Sequence, residues 1–400
     1  MVEIKQEFLS MRKLDTLSIM EQELNKEDAD VLLSAPFLSN LTELTLSTAD
    51  AVGTTEYMSK LLAKATNLET LVLHGEVDFD YLGAVPLNEK LKQFKFDNYF
   101  EGDVIIHFGP LLSQPRPHLR SLAIKCGILN TENFEELIDS AKENLPNLER
   151  LMITDLWENK NEQLDWDLLS RLDFPNLVEL RLDTYATMAA CIAESTVKLP
   201  KLEILDLGRI YDFGVAKKLA YEKLFSSPLL HQLKTLRVPY ETFDLDNLAI
   251  LCKHAQKFEN LEKLTVHSRT MKGVERIATC GKKKGGFPRL QKIDFSEMAV
   301  FANGRAKTPF NEDKVGDCLR KVWPNIEYEC DYAGPGLGTH QWMNLDGIHP
   351  ETIGANTCRV CDIAYGHALF GYLGQAQPSL AKNQNCLERQ KSQSSIATKL

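Results

Sequence analysis

One short apolar pattern, Leu-x-x-Leu-x-Leu, returns eleven times along the 400-residue chain and limits its fold more than any other feature. Copies start at Leu14 (with Leu17 and Ile19), Leu41 (Leu44, Leu46), Leu68 (Leu71, Leu73), Leu91 (Phe94, Phe96), Leu119 (Leu122, Ile124) and Leu148 (Leu151, Ile153). They continue at Leu177 (Leu180, Leu182), Leu202 (Leu205, Leu207), Leu233 (Leu236, Val238), Leu261 (Leu264, Val266) and Leu290 (Ile293, Phe295). From Leu14 to Leu290 is 276 residues over ten steps, a mean period of 27.6, and single spacings run only from 23 to 31. A degraded copy starts at Ile326. The fourth and sixth positions of the pattern lie two apart, so both face one side of a strand while the residues between them face the other. The rest of each unit must carry the chain back to the start of a parallel neighbour. Several returns have helical spacing: Phe134, Leu137, Ile138, Ala141 and Leu145; Val215, Leu219 and Leu224; Leu245, Leu248, Ala249 and Cys252. Pro117, Pro146, Pro175, Pro200, Pro288 and Pro324 each stand two residues before an anchor, where proline ends a helix and prepares the turn into the strand.

A single unit of this size cannot bury its apolar face, but stacked units share one continuous core. The pattern resembles the leucine-rich repeat family in its long α/β form, over about residues 1–330. The resemblance implies an α/β solenoid curved as a horseshoe, with a parallel sheet on the concave face and helices on the convex face. The family's Asn or Cys ladder, eight residues after the anchor, is replaced here by residues such as Ala49, Tyr99, Tyr185 and Glu241. Irregular repeats of this kind are similar to those of F-box ubiquitin-ligase subunits and of ribonuclease-inhibitor-like proteins. An F-box needs far more chain than the 13 residues before Leu14, and those read as the end of a return helix. The expectation is that no F-box is present, which leaves a fragment, an isoform or a partner-capped protein open.

With 56 acidic and 46 basic residues the formal net charge is -10, which argues against generic binding of nucleic acid or an anionic membrane. No run reaches the ~18 apolar residues of a membrane-spanning helix. The first residues are too acidic for a signal peptide. Nine scattered cysteines in such a chain read as reduced thiols, placing the protein in the cytoplasm, with the nucleus open.

The outward strand positions, one, two, four and six after each anchor, carry eleven acids and ten bases. The signs fall in bands. Repeats four and five show Lys92, Lys95, Arg120 and Lys125 against Asp97; repeats seven and eight show Glu179, Asp183, Glu203 and Asp206 against Arg181; Arg237 follows with Lys234. Such banding would steer and select a protein of opposite pattern; the alternative is a mixed, solvated face without a partner. Tyr99, Trp157, Tyr185, Tyr211 and Tyr240 fall seven to nine residues after their anchors, along one edge of the sheet, where aromatics serve as binding anchors or fill the core beneath the loops. His74 and His267 occupy outward positions and read as exposed.

Residues 331–400 hold eight glycines and only thirteen Leu, Ile, Val or Phe in 70 positions, which suggests a poorly ordered tail. Within it, Cys358-x-x-Cys361 and His367 form half of a zinc site without a second pair at firm spacing, so no metal is assigned. Ahead of it, Glu297 to Trp323 reads as a capping unit with Trp323 over the open end of the core. Gly281-Lys-Lys-Lys-Gly-Gly286 lacks the order of a phosphate loop, and neither Gly-x-Ser-x-Gly nor His-Glu-x-x-His occurs. The sequence thus points to a protein-interaction module rather than an enzyme, with no cofactor. The resemblance implies substrate recognition beside ubiquitin-ligase subunits; the alternative is a stand-alone scaffold or inhibitor.

Overall fold

The computed structural model describes residues 13–19, 26–48, 54–75, 89–97, 112, 114–128, 131–157, 171–182, 199–207, 215–238, 245–267, 271–296, 301–302, 305–306 and 312–330. Every copy of the apolar pattern forms a strand: β1 (Thr16–Ile19), β2 (Glu43–Thr48), β3 (Thr70–Gly75), β4 (Gln93–Asp97), β5 (Ser121–Ile128) and β6 (Arg150–Trp157), then β7 (Glu179–Leu182), β8 (Ile204–Asp206), β9 (Thr235–Arg237), β10 (Lys263–His267) and β11 (Lys292–Ser296). A two-stranded hairpin, β12 (Phe301–Ala302) and β13 (Arg305–Ala306), follows, and β14 (Glu327–Cys330) returns to the main sheet. The main sheet has twelve strands in the order β1 to β11 and then β14, all parallel. Adjacent units are thus adjacent in space throughout.

The register aligns the apolar positions into continuous rows. Leu44, Leu71, Phe94, Leu122, Leu151, Leu180, Leu205, Leu236, Leu264 and Ile293 pair in succession. All are buried, as is the second row from Leu46 to Phe295. Ile19, in β1, is partly buried against the same core.

Two backbone devices repeat at each step. The anchor N–H donates to the carbonyl three residues back, closing a β-turn at Leu119, Leu148, Leu177, Leu202, Leu290 and Ile326 with distances of 3.1–3.2 Å. Proline occupies the second place of all six turns, where its fixed φ is already correct. The carbonyl one residue after an anchor then accepts two N–H groups from the next unit, as Asp15 does from Thr42 and Glu43 at 2.8 and 3.0 Å. A side-chain ladder also exists, though not where the family places it. Asn67, Asn147, Asn176 and Asn260, each just before an anchor, donate from Nδ2 to the carbonyls of Ser39, Pro117, Pro146 and His231 in the preceding unit at 2.6–3.0 Å. Lys201 and Arg289 of the following units donate to Oδ1 of Asn176 and Asn260.

The described helices are α1 (Lys26–Ser34), α2 (Thr54–Lys64), α3 (Thr131–Asn144), α4 (Val215–Ser226), α5 (Leu245–Lys253), α6 (Met271–Lys284) and α7 (Glu312–Arg320). Helices α4 to α7 pack side by side in chain order. Helices need ~8–10 Å between axes while strands need ~4.8 Å, so the sheet takes the inner, concave side. The spacing of Phe134 to Leu145 became α3 as expected. In α4 the helix is right but one residue is not: Leu219 is exposed, because the buried stripe is Tyr221, Leu224 and Phe225.

An aromatic file runs beneath the later helices. Tyr221 stacks on Phe225 at 5.6 Å, Phe225 meets Phe258 at 6.3 Å, and Phe258 meets Phe287 at 5.2 Å. The Phe287 carbonyl then accepts the indole N–H of Trp323 at 3.2 Å. Trp323 is buried and lies on Gly281 of α6, where an added Cβ would come within 2.3 Å of its ring. In the last unit one residue is missing between anchor and core: Ile293 pairs with Tyr328, two rather than three places after Ile326. Tyr328 packs partly buried against the core under Arg320, 5.4 Å above its ring. Residues 331–400, with the Cys358, Cys361 and His367 group, lie outside the described residues.

Candidate functional site

Side chains two and four places after each anchor project from the strands onto the face opposite the helices. In β2, Glu43 and Thr45 are open to solvent while Leu44 and Leu46 are buried. Across this face the charges form ion pairs between neighbouring repeats, and they gather into two centres.

The first centre surrounds Asp97. Its carboxylate lies 3.6 Å from Lys95, 3.7 Å from Lys125 on β5, and 3.8 Å from His74 on β3. His74 and Asp97 are direct partners in the β3–β4 register. Contrary to the sequence expectation, His74 is buried, only 5% exposed, in register beside the equally buried Asp97. His267 ends β10, and its side chain lies outside the described residues. Burial pushes the His74 pKa down from 6.5 to about 4; Asp97 opposes this, while Lys95 and Lys125 reinforce it. The ring is therefore neutral at pH 7. The unfolded chain takes up this proton near pH 6.5 and the folded chain only near pH 4, so stability falls as pH drops through that window. The shift corresponds to about 3 kcal/mol. Denaturant midpoints measured from pH 7.5 to 4 should decline less steeply in His74→Gln than in the unaltered protein; parallel profiles would refute the assignment.

The second centre spans β7 to β14. Asp206 Oδ2 lies 4.0 Å from Arg181 Nε and 3.4 Å from Arg237 Nη1, so one carboxylate on β8 is bracketed by guanidiniums on β7 and β9. Arg181 also donates to Glu179 at 2.6 Å. Asp294 is bracketed in the same way by Lys263 at 3.0 Å and Lys292 at 3.5 Å, and it accepts from Thr265 Oγ1 at 3.4 Å. Lys292 reaches Glu329 at 2.9 Å; this bond raises the lysine pKa and lowers that of the glutamate. Arg181, Asp206, Arg237, Lys263, Asp294 and Glu329 border a groove of about 300 Å³ with Ile204 and Thr235.

A third set lies along the strand entries: Lys92–Glu69 at 2.7 Å, Arg120–Glu149 at 3.2 Å and Lys234–Glu203 at 2.9 Å. All six side chains are about half exposed, so each pair contributes at most about 1 kcal/mol.

The repeat register now decides the architecture. The fold is an α/β leucine-rich repeat solenoid. No family model matches the chain, and no curated protein matches it. Among solved structures, a Bacteroides fragilis protein is similar at 16% identity over 76% of this chain and 69% of that one, with a TM-score of 0.41. TLR13, in its complex with ssRNA13, is similar at 15% identity over 81% of this chain, with a TM-score of 0.32. This chain spans 55% of that TLR13 chain. At such scores these likenesses are descriptive, and the solenoid rests on its own register and burial.

The sequence-predicted residues separate clearly. Lys95 and Lys125 converge on Asp97; Glu179, Asp206 and Arg237 converge with Arg181; Lys92 and Arg120 stand apart at the strand entries. Asp183, Tyr99, Tyr185, Tyr211 and Tyr240 lie outside the described residues, and so does the side chain of Trp157 at the end of β6. In the acid band of repeats seven and eight, Glu203 is open and paired with Lys234, but Glu179 and Asp206 are recessed. Glu179 and Asp206 side chains are 12% and 10% exposed, whereas Arg181 and Arg237 are each 33% exposed above them. Lys263, Lys292 and Asp294 are among the outward charges counted from the sequence but not among its candidate binding residues, and Glu329 is in neither set. Their pairs run diagonally, from one strand position to the position two places on in the next strand, since in register Lys263 faces Lys292 and Asp294 faces Glu329. Among the described residues no group of three or more His, Cys, Asp or Glu could hold a metal ion, and no helix is long and apolar enough to cross a membrane.

Proposed function

We propose that this solenoid is a protein-binding scaffold that engages its partner on the open face of the sheet. The observation that carries the reading is the pair of bracketed carboxylates, Asp206 and Asp294, which hold cations in a regular array above a rigid sheet. Side chains already fixed by ion pairs lose little conformational freedom on binding. Substrate recognition beside ubiquitin-ligase subunits is the narrower form of this reading, supported by the resemblance of the irregular repeats; a stand-alone scaffold or inhibitor is the alternative.

The test is affinity purification of the tagged chain followed by mass spectrometry, comparing the unaltered protein with two variants. Reversing Lys95 and Lys125 would place three acids around a buried site and endanger folding, so Lys95→Gln with Lys125→Gln is the better first variant. Arg181→Ala with Arg237→Ala is the second. A partner present with the unaltered protein and lost from either variant supports the open face. Cullin and adaptor subunits in the eluate would select the ligase setting; one protein without them would select the scaffold or inhibitor. Retention of every partner by both folded variants would remove the open face as the interface.

A further inference from the structure

The second charge centre has a vertical order that its composition hides. Arg181 and Arg237 are 33% exposed, Lys263 is 42% and Lys292 is 33%, while Asp206 beneath the two arginines is 10% and Asp294 beneath the two lysines is 17%. Glu179 is likewise recessed at 12%, leaving Glu329 as the open acid at the far edge. Counted by sequence, this region is balanced. Viewed from solvent, it presents Arg181, Arg237 and Lys263, on β7, β9 and β10, around a groove of about 300 Å³ that Glu329 also lines, with Lys292 of β11 beside Asp294 just outside the lining, in a chain whose formal charge is -10.

We infer that this groove docks an acidic, extended segment of a partner protein. This rests on the preceding proposal that the open face binds protein, and it names the chemistry of what is bound. Each arginine has five N–H donors in a fixed fork. Arg237 engages Asp206 through Nη1 and Arg181 donates through Nε to Glu179, and a guanidinium held on one side by a recessed carboxylate is oriented to receive a second one from solvent. Asp206 and Asp294 therefore orient the cations rather than neutralise the surface. The spacing also suits the occupant. Cations on β7 and β9 stand two strands apart, ~10 Å, and those on β9 and β10 one strand apart, ~5 Å. An extended chain running across the strands offers same-side residues every ~7 Å, so acids two or three places apart come within reach of successive long side chains. The groove is too small to enclose a folded element, whereas a few carboxylate side chains fit it. Thr235 and Thr265 add hydroxyls to the groove wall. An isolated phosphate would satisfy only one cation pair and leave the rest of the array unused.

The test uses the full chain and a fluorescein-labelled dodecapeptide of alternating Glu and Ser, read by fluorescence anisotropy at low and physiological salt. The matched Lys–Ser peptide and labelled dT12 serve as comparators. The Glu–Ser peptide should bind and the Lys–Ser peptide should not. Arg181→Ala with Arg237→Ala should weaken the Glu–Ser peptide at least tenfold, as should Lys263→Ala with Lys292→Ala. Lys282→Ala with Lys283→Ala on α6 should leave binding unchanged. Asp206→Asn, which keeps both arginines and removes the carboxylate that orients Arg237, should also weaken the Glu–Ser peptide. Circular dichroism confirms that each variant is folded. Equal loss in the α6 variant, or dT12 binding as tightly as the Glu–Ser peptide, would overturn the inference in favour of diffuse polyanion attraction. So would tighter binding in a folded Asp206→Asn protein, which would show that Asp206 neutralises the surface rather than orienting Arg237. The two proposals can fail separately: if the open-face variants release the natural partner while the Glu–Ser peptide never binds, the face is the interface and the acidic segment is wrong. If the peptide binds and the partner stays on every variant, the groove is real and the interface lies elsewhere.

Discussion

The Leu205→Asp protein will lose cooperative folding across the units around β8. Leu205 is fully buried, pairs in register with Leu180 and Leu236, and belongs to an apolar row that continues through both neighbours. Deleting such a leucine costs about 2–5 kcal/mol before any charge is considered. An unpaired carboxylate in the same position adds several kcal/mol more, because Leu205 sits among the fully buried Leu180, Leu207 and Leu236. In a stack the damage spreads to the nearest neighbours, whose interfaces depend on the missing row. Hydrogen exchange should show amide protection lost first in β7, β8 and β9, with β2 and β3 retained longer. Leu205→Ala should reproduce the pattern at smaller amplitude. A soluble Leu205→Asp protein with an unchanged single transition would refute the assignment of Leu205 to the core.

Trp323→Ala should cost about 3–5 kcal/mol, as removal of a buried tryptophan generally does. Its indole closes the end of the aromatic file by hydrogen bonding to Phe287, and its ring rests on α6 at Gly281. The more searching companion is Gly281→Ala. In an ordinary helix interior this change stabilises by about 0.5–1 kcal/mol. Here the new Cβ would stand 2.3 Å from Trp323 and 2.8 Å from a Val322 methyl, so the sign must reverse. Thermal melts of both single variants and the double variant decide the point. The double variant should be less destabilised than the sum, since the clash disappears with the ring. A stabilised Gly281→Ala protein would show that Trp323 does not sit on α6.

The repeat was legible in the sequence because burial enforces it: a strand needs its two apolar positions whatever else the unit contains. The turn prolines were equally plain, since Pro117, Pro146 and the others occupy a place that the backbone geometry favours. Leu219 misled because apolar spacing alone cannot say which of two candidate stripes on a helix meets the core. Asn67, Asn147, Asn176 and Asn260 recur just before their anchors, but their role shows only in the carbonyls of the preceding unit that they reach, about 30 residues away in the chain. The site was legible in its membership more than in its geometry. Lys95, Lys125, Asp206 and Arg237 were all named, yet a list of signs carries no depth. That Asp97 and Asp206 lie below their cations, and that His74 is buried against Asp97, depends on pairings between strands 23 to 31 residues apart.

The doubled hydrogen bonds from each post-anchor carbonyl to the next unit involve only backbone, and therefore place no demand on which side chains stand two and four residues after the anchor. What holds the stack together and what meets the outside world are written in different letters of the same repeat. Two chains could share every anchor, turn and core position and still greet unrelated molecules, and one chain could change its correspondent through a handful of outward substitutions without renegotiating its fold.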